Sequence, residues 1–268
     1  MFTATTMTTI TPVSETSSLL EAVTDLARLG GNHALSHFRK KLIVEYKKDG
    51  SPVTEADKAT ETLMREWITK RFPDDGIFGE EFAEHNASAE RRWIIDPIDG
   101  TFSYMRGVPL WGTLVAVLRG ERVIAGAIFC PGVDEMVSAA EHAGCWSNGV
   151  RCQASTQSQL SRATVLSTDV KFASAPDKRE RFSALISAAG AYRGWSDCYA
   201  YLLLATGRAE VVVDPVMQPW DAAALVPVIQ EAGGVLTDWS NRQTAFGGSV
   251  IATNAALAQQ VRSVLGAV

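Results

Sequence analysis

The sequence predicts an α+β protein built from layers of helix and sheet. Two observations carry that prediction: apolar residues recur at helical spacing in several segments, and short apolar runs alternate with those segments along the chain. The first helix is expected from about Ser18 to Arg39, where Leu19, Leu20, Val23, Leu26 and Leu29 form a stripe that Ala34, Leu35 and Phe38 continue. The Gly30-Gly31 pair is expected to kink or split it. Leu42–Tyr46 reads as a short strand. Thr54, with Asp57 three residues on, reads as an N-cap for a second helix. Ala59, Leu63, Met64, Trp67 and Ile68 give that helix its apolar face, and it stops before Pro73. Gly76–Phe78, Trp93–Ile95, Leu114–Leu118 and Val123–Phe129 are strand-like, the last two joined by a turn at Gly120. Asn148-Gly149 signals a hairpin within Glu135–Gln153. Beyond it come strands at Thr164–Leu166, Ala209–Val213, Val235–Asp238 and Ser249–Ala252. Helices are expected over Asp177–Ala189, Tyr199–Thr206 and Asp221–Ala232, with a last one from Asn254.

Composition excludes several function classes. The 268 residues carry 25 Lys+Arg against 30 Asp+Glu, a net charge of −5, and 46% are hydrophobic. That apolar content supports a substantial core and rules out disorder for most of the chain. No Lys/Arg-dense stripe exists, so a phosphate-neutralising nucleic-acid binder is not expected. Arg39-Lys40-Lys41 and Lys47-Lys48 read as solvated faces. No run of about 20 apolar residues is present, so no membrane span is expected. Residues 1–17 are rich in Thr and Ser and read as a flexible tail without a signal or transit peptide, which points to the cytoplasm. The texture changes near residue 155, giving an N-terminal half over 18–153 and a C-terminal half over 154–268 that pack as one unit. Cys130, Cys145, Cys152 and Cys198 form no C-x-x-C pair and are expected as free thiols.

The chemistry concentrates at Asp96-Pro97-Ile98-Asp99-Gly100-Thr101, where an apolar strand delivers two carboxylates to a tight turn and Pro97 is expected to end the ladder. Carboxylates that converge repel, and either share a proton or hold a cation; oxygen ligands suit Mg²⁺. The same pattern also reads as an Asp-rich turn. Gly79-Glu80-Glu81 places another pair at a strand end, and Trp220-Asp221 precedes an apolar helix, where Asp221 is either a site residue or an N-cap. Ligands of open sheets collect at such ends. The Cys145-x5-Arg151 spacing of cysteine phosphatases falls in the predicted hairpin and carries no phosphate loop. His33 and His37 lack an acidic partner nearby, and no histidine chemistry is assigned.

These segments, with Ser51-Pro52-Val53-Thr54-x-Ala56-Asp57 upstream and Glu231-Ala232-Gly233-Gly234 downstream, resemble the signature of the inositol monophosphatase superfamily from about residue 18 to the C-terminus. The resemblance implies a layered α-β-α-β-α sandwich of the inositol monophosphatase (sugar phosphatase) type. It also implies a homodimer, lithium sensitivity and Mg²⁺-dependent hydrolysis of a small phosphate monoester, with two or three Mg²⁺ per site. By that resemblance Glu80, Asp96 and the Ile98 carbonyl hold one metal, and Asp96, Asp99 and Asp221 a second. Glu80 reaches a third through water. Thr101 and Asp57 orient or deprotonate the attacking water. The backbone N–H groups of Gly100 and Thr101 bind phosphate, and Glu81 lies behind the ligands as support.

Phe102-Ser103 departs from the Thr-Asn usual in inositol-specific members. Gly107-x-Pro109-x-Trp111-Gly112-Thr113-Leu114, Gly194–Tyr201 and Asp214–Pro227 are similar to the histidinol-phosphatase branch instead. Histidinol phosphate, an intermediate of histidine biosynthesis, carries an ammonium and an imidazole, so its site needs carboxylates away from the metals. Asp197 and Asp214 are the candidates, and Asp197 also reads as a helix N-cap. Trp195, Tyr104 and Trp111 are read either as stacking partners for the imidazole or as core and dimer contacts. Arg106 and Arg193 are candidates for a neighbouring subunit's site or the dimer interface. Two other functions remain open: an inositol-1-monophosphatase or broad small-molecule phosphatase, and a regulatory or binding protein on the same scaffold.

Overall fold

The computed structural model describes residues 15–267 apart from 42, 48, 49, 51, 173 and 174. The expectations for residues 1–14, Leu42, Lys48 and Ser51 therefore lie outside the described residues. In chain order the N-terminal elements are α1 (Glu15–His37), β1 (Val44–Tyr46), β2 (Pro52–Thr54), α2 (Glu55–Arg71), β3 (Gly76–Gly79), β4 (Arg91–Asp99) and α3 (Thr101–Met105). Then come β5 (Gly112–Arg119), β6 (Arg122–Cys130), β7 (Glu135–Ala140), β8 (Gly144–Ser147) and β9 (Val150–Cys152). The C-terminal elements are β10 (Thr164–Leu166), α4 (Pro176–Ala188), β11 (Ala191–Arg193), α5 (Asp197–Ala205), β12 (Val211–Asp214), α6 (Pro219–Ala222), α7 (Leu225–Glu231), β13 (Gly234–Thr237), β14 (Val250–Asn254) and α8 (Ala258–Leu265).

Two sheets organise the chain. β3 to β9 form a seven-stranded sheet in sequential order, parallel only between β3 and β4. The second sheet has the order β11-β10-β12-β14-β13, parallel on the β11 side and antiparallel around β14. Each sheet is apolar on both faces, so each must be covered twice. Three apolar clusters do this. α1 and α2 cover the outer face of the first sheet through Leu26, Met64, Trp93 and Phe129. α5 and α7 fill the space between the sheets through Leu202, Leu225, Ile128 and Val212. α4 and α8 cover the far face of the second sheet through Phe182, Val261 and Ile251. The result is the α-β-α-β-α layering.

The helical stripe begins earlier than expected, at Glu15, and runs unbroken through Gly30 and Gly31. Those glycines permit close packing rather than a kink. A Cβ at Gly31 would stand 2.4 Å from Phe129, and one at Gly30 would stand 2.7 Å from the Met64 sulfur. Pro97 does not end the β4 ladder, which resumes at Asp99 opposite Gly112 after a register shift. The helix expected over Asp221–Ala232 is two helices, α6 and α7, and it starts two residues earlier at Pro219. β2 and β11 were not foreseen; each has three residues, too few to show alternation. Asn148-Gly149 does turn a hairpin, with φ of 45° and 81° that match a type I′ turn.

Candidate active site

The site forms where β3 and β4 end, beneath the first turns of α2, α3, α5 and α6. At α2, Thr54 is the N-cap expected, and Asp57 completes a capping box with it. Asp57 Oδ2 accepts the Thr54 N–H at 2.8 Å and the Thr54 hydroxyl at 2.6 Å. That leaves Oδ1 facing Thr101, whose hydroxyl lies 3.4 Å from it and 3.0 Å from the Ile98 carbonyl oxygen. Asp57 is fully buried, and burial lifts its pKa to about 6 against the opposing bonds from Thr54.

β4 supplies two carboxylates through an irregularity. Side chains three apart on a regular strand face opposite ways. Here the three steps from Asp96 to Asp99 oppose only two on β5, from Leu114 to Gly112, so one extra residue resets the alternation. Both carboxylates then turn to one side. Pro97 sits inside this bulge, where its missing N–H costs no ladder bond. α6 brings the third carboxylate. Trp220 packs edge-on against Phe78 of β3, and the Gln218 N–H binds Asp221 Oδ2 at 2.8 Å. One carboxylate oxygen from each of Asp96, Asp99 and Asp221 lies within 4.8 Å of the others. Burial first, and then mutual repulsion, push Asp96 and Asp99 well above the usual carboxylate range; burial lifts Asp221 to about 7. Asp221 is not the N-cap, which is Gln218; it stands at the third position of α6, and its bond back to the cap residue leaves it in the cluster.

Glu80 stands beside this group without joining it. Lys47 Nζ bridges Glu80 at 2.7 Å and Glu81 at 2.9 Å, so Lys47 is not the solvated residue expected. Burial opposes the Lys47 charge, but the two glutamates outweigh it and raise its pKa. Burial also raises Glu80 and Glu81, with Glu80 close enough to Asp96 to share a hydrogen bond. Gly100 caps α3 in the left-handed region at φ 86°, and a Cβ there would stand 3.0 Å from Asp197 Oδ2. Only glycine suits that position.

A cavity of about 230 Å³ opens beside the carboxylates, lined by Asp99, Asp197 and Asp221 together with Asp169, Phe172 and Met217. Asp197 is not the cap of α5; Ser196 is, and Asp197 follows it at φ 54°. The Asp197 carboxylate accepts the Ser196 hydroxyl at 2.8 Å, and burial raises its pKa to about 6. Asp214 is buried with both oxygens engaged, Oδ1 by the Thr168 N–H at 2.8 Å and Oδ2 by the Tyr201 hydroxyl at 2.8 Å. Tyr104 and Trp111 are core residues packed with Phe38 and Ile98, so of the three aromatics considered for stacking only Trp195 is exposed. Arg106 lies over the Phe102 ring, and Arg193 bonds the Tyr192 carbonyl. Sequence reasoning missed Lys47, Glu61, Thr168, Asp169 and Tyr201, because nothing local marks a residue that reaches the site from a distant segment.

The donor set suits a hard cation. Three carboxylates converge, Asp96 buried and Asp99 and Asp221 half-buried, and among the described residues no Lys or Arg pairs with any of them. An oxygen-only set of this kind matches Mg²⁺ rather than a soft metal. The sequence profile of the inositol monophosphatase family matches residues 15–265. The chain belongs to the inositol monophosphatase family. Within it, the chain is 41% identical over 249 residues to a histidinol-phosphatase of Chlorobaculum parvum, covering 92% of this chain and 96% of that one. It is 35% identical over 231 residues to a histidinol-phosphatase of Mycobacterium tuberculosis, covering 84% and 89%. An inositol monophosphatase structure from Zymomonas mobilis superposes with a TM-score of 0.83 at 30% identity, covering 95% of this chain and all of that one. Family and relatives make this chain a phosphatase, and the resemblance to the histidinol-phosphatase branch holds. Among the described residues no helix is long and apolar enough to cross a membrane.

Proposed function

We propose that this phosphatase is Mg²⁺-dependent and that its preferred substrate is histidinol phosphate. The observation that carries the proposal is the cluster of Asp96, Asp99 and Asp221, of which Asp99 and Asp221 line a cavity that also carries Asp169, Asp197 and Asp214 among apolar side chains such as Phe172 and Met217. A wall of that sign suits a phosphate ester with a cationic alcohol and disfavours a second anionic group. Glu80, Asp96 and the Ile98 carbonyl would hold one ion, and Asp96, Asp99 and Asp221 another, with Glu80 reaching a third through water. Bound there, Mg²⁺ supplies Lewis acidity toward the phosphoryl oxygens and lowers the pKa of water.

The protein's own groups do the rest. Thr101 accepts a hydrogen bond from the attacking water while its own hydroxyl proton points to Ile98 O or Asp57 Oδ1. Asp57, with a pKa near 6, is ionised at neutral pH and able to take that proton. The N–H groups of Gly100 and Thr101, at a helix start with no side-chain cap, face phosphate oxygens. Asp197 takes the cationic end of the substrate. Asp214 supports this wall by holding Thr168 and Tyr201 in place. Glu81 steadies Lys47 behind Glu80.

The deciding experiment compares kcat/KM for histidinol phosphate and inositol-1-phosphate in Mg²⁺. A preference of about tenfold or more for histidinol phosphate, about 1.4 kcal/mol, supports the proposal; the reverse preference assigns the chain to inositol phosphates. We further propose a cytoplasmic homodimer inhibited by Li⁺, testable by light scattering and by Li⁺ titration of the activity.

A further inference from the structure

α2 carries a second buried carboxylate one turn beyond Asp57. Glu61 lies four residues on, so the two share one face of the helix. It is fully buried, and three donors converge on it. The Glu81 N–H binds Oε2 at 2.7 Å, and the Phe82 N–H and Arg65 Nε bind Oε1 at 3.3 and 2.8 Å. Gly79 makes the approach possible, because a Cβ there would stand 2.1 Å from Oε1. The chain leaving β3 is therefore held at two points. Gly79 is paired with Ile95 of β4, and the peptides at Glu81 and Phe82 are tied to α2. Glu80 lies between them, facing Asp96 and Asp57, both of which repel it when ionised.

We infer that Glu61 is a positioning residue for the metal centre, clamping the turn after β3 so that Glu80 stays beside Asp96. The inference rests on the metal-dependent reading proposed above. A carboxylate is the group this position needs. Its oxygens only accept, and three donors point at it, whereas a glutamine would turn its own NH₂ against one of them. Arg65 balances the charge from the partly exposed side, at 2.8 Å.

The test uses the full chain with two independent substitutions, Glu61→Gln and Gly79→Ala. The first alters the clamp chemically, and the second displaces the Glu61 carboxylate without changing Glu61 or Arg65 themselves. Mg²⁺ alone is titrated calorimetrically, the Mg²⁺ dependence of phosphatase activity is measured, and unfolding is followed in EDTA. Each variant is expected to bind Mg²⁺ at least about tenfold more weakly, with kcat at saturating Mg²⁺ within about threefold of wild type. The double variant is expected to be no weaker than the worse single one, because both changes break one contact. A merely structural Glu61 would lower the melting temperature and leave the folded fraction's Mg²⁺ affinity unchanged. Mg²⁺ affinity within about twofold of wild type in folded Gly79→Ala, or losses that multiply in the double variant, would overturn the inference. If Glu61→Gln does not fold, Gly79→Ala carries the test. If wild type binds no Mg²⁺, the metal reading itself fails; if it binds and the variants bind equally, only the role of Glu61 fails.

Discussion

Replacing Asp99 with Asn should stabilise the metal-free protein while abolishing its activity. Asp99 Oδ2 accepts the Cys198 N–H at 2.5 Å, and an asparagine oxygen in the same place keeps that bond. What disappears is a charge lying within 4.8 Å of two others. At an effective dielectric constant of about 20, each fully ionised pair at that distance costs about 3.5 kcal/mol. Asp99 itself and Asp96 are held well above the usual carboxylate range and Asp221 is lifted to about 7, so the charges are only partly present at pH 8 and the relief should stay below one full pair, about 1–3 kcal/mol. The pH dependence has a definite sign. A carboxyl whose folded pKa is raised binds more protons folded than unfolded, so stability falls as pH climbs from about 4 through the folded value near 7. Wild type without metal should therefore lose stability between pH 5 and pH 8, and Asp99→Asn should lose less. The two should nearly converge at pH 5. Urea unfolding in EDTA at each pH measures this. In the second arm Mg²⁺ at about 100 times its Kd should add about 2.7 kcal/mol to wild type and much less to the variant. A variant less stable than wild type at pH 8 without metal would refute the reasoning. So would a metal-free wild type that gains stability between pH 5 and pH 8.

Three further substitutions probe separate parts of the structure. Asp197→Asn should raise KM for histidinol phosphate about tenfold and leave KM for a neutral-alcohol phosphate within about twofold; equal effects would reduce Asp197 to a backbone role. Gly31→Ala should destabilise by about 1–3 kcal/mol in chemical denaturation, because its Cβ would meet the Phe129 ring at 2.4 Å. Arg262→Leu should cost about 3 kcal/mol or more in the same measurement, since the buried guanidinium serves Thr237, Thr253 and the carbonyls of Val235, Ile251 and Ala258.

Much of the fold was legible because its signals are local. The apolar stripe of α1, the Thr54 N-cap and the Asn148-Gly149 turn each depend on residues within a few positions of one another, and each is present, although α1 starts earlier and does not break at its glycines. Gly30 and Gly31 misled because propensity marks glycine as a breaker, whereas packing against Met64 and Phe129 gives it another use. Lys47 misled in the same way: a short basic run reads as solvated until two glutamates from β3's end close on it.

The candidate site divides along the same line. Its residue types are written in the motifs: Asp96, Asp99, Glu80 and Asp221 lie at strand ends and a helix start, where carboxylates have few local reasons to gather. Whether they could act together was a question of alternation and docking. Three residues of separation on a strand points Asp96 and Asp99 apart, and only the register shift against β5 turns them to one side. Trp220 on Phe78 then brings Asp221 to them across more than a hundred residues of chain. Sequence position carries the chemistry of each carboxylate, because that resides in the side chain. The shared field, the raised pKa values and the cavity exist only between side chains brought close, and that proximity is a property of the packed layers.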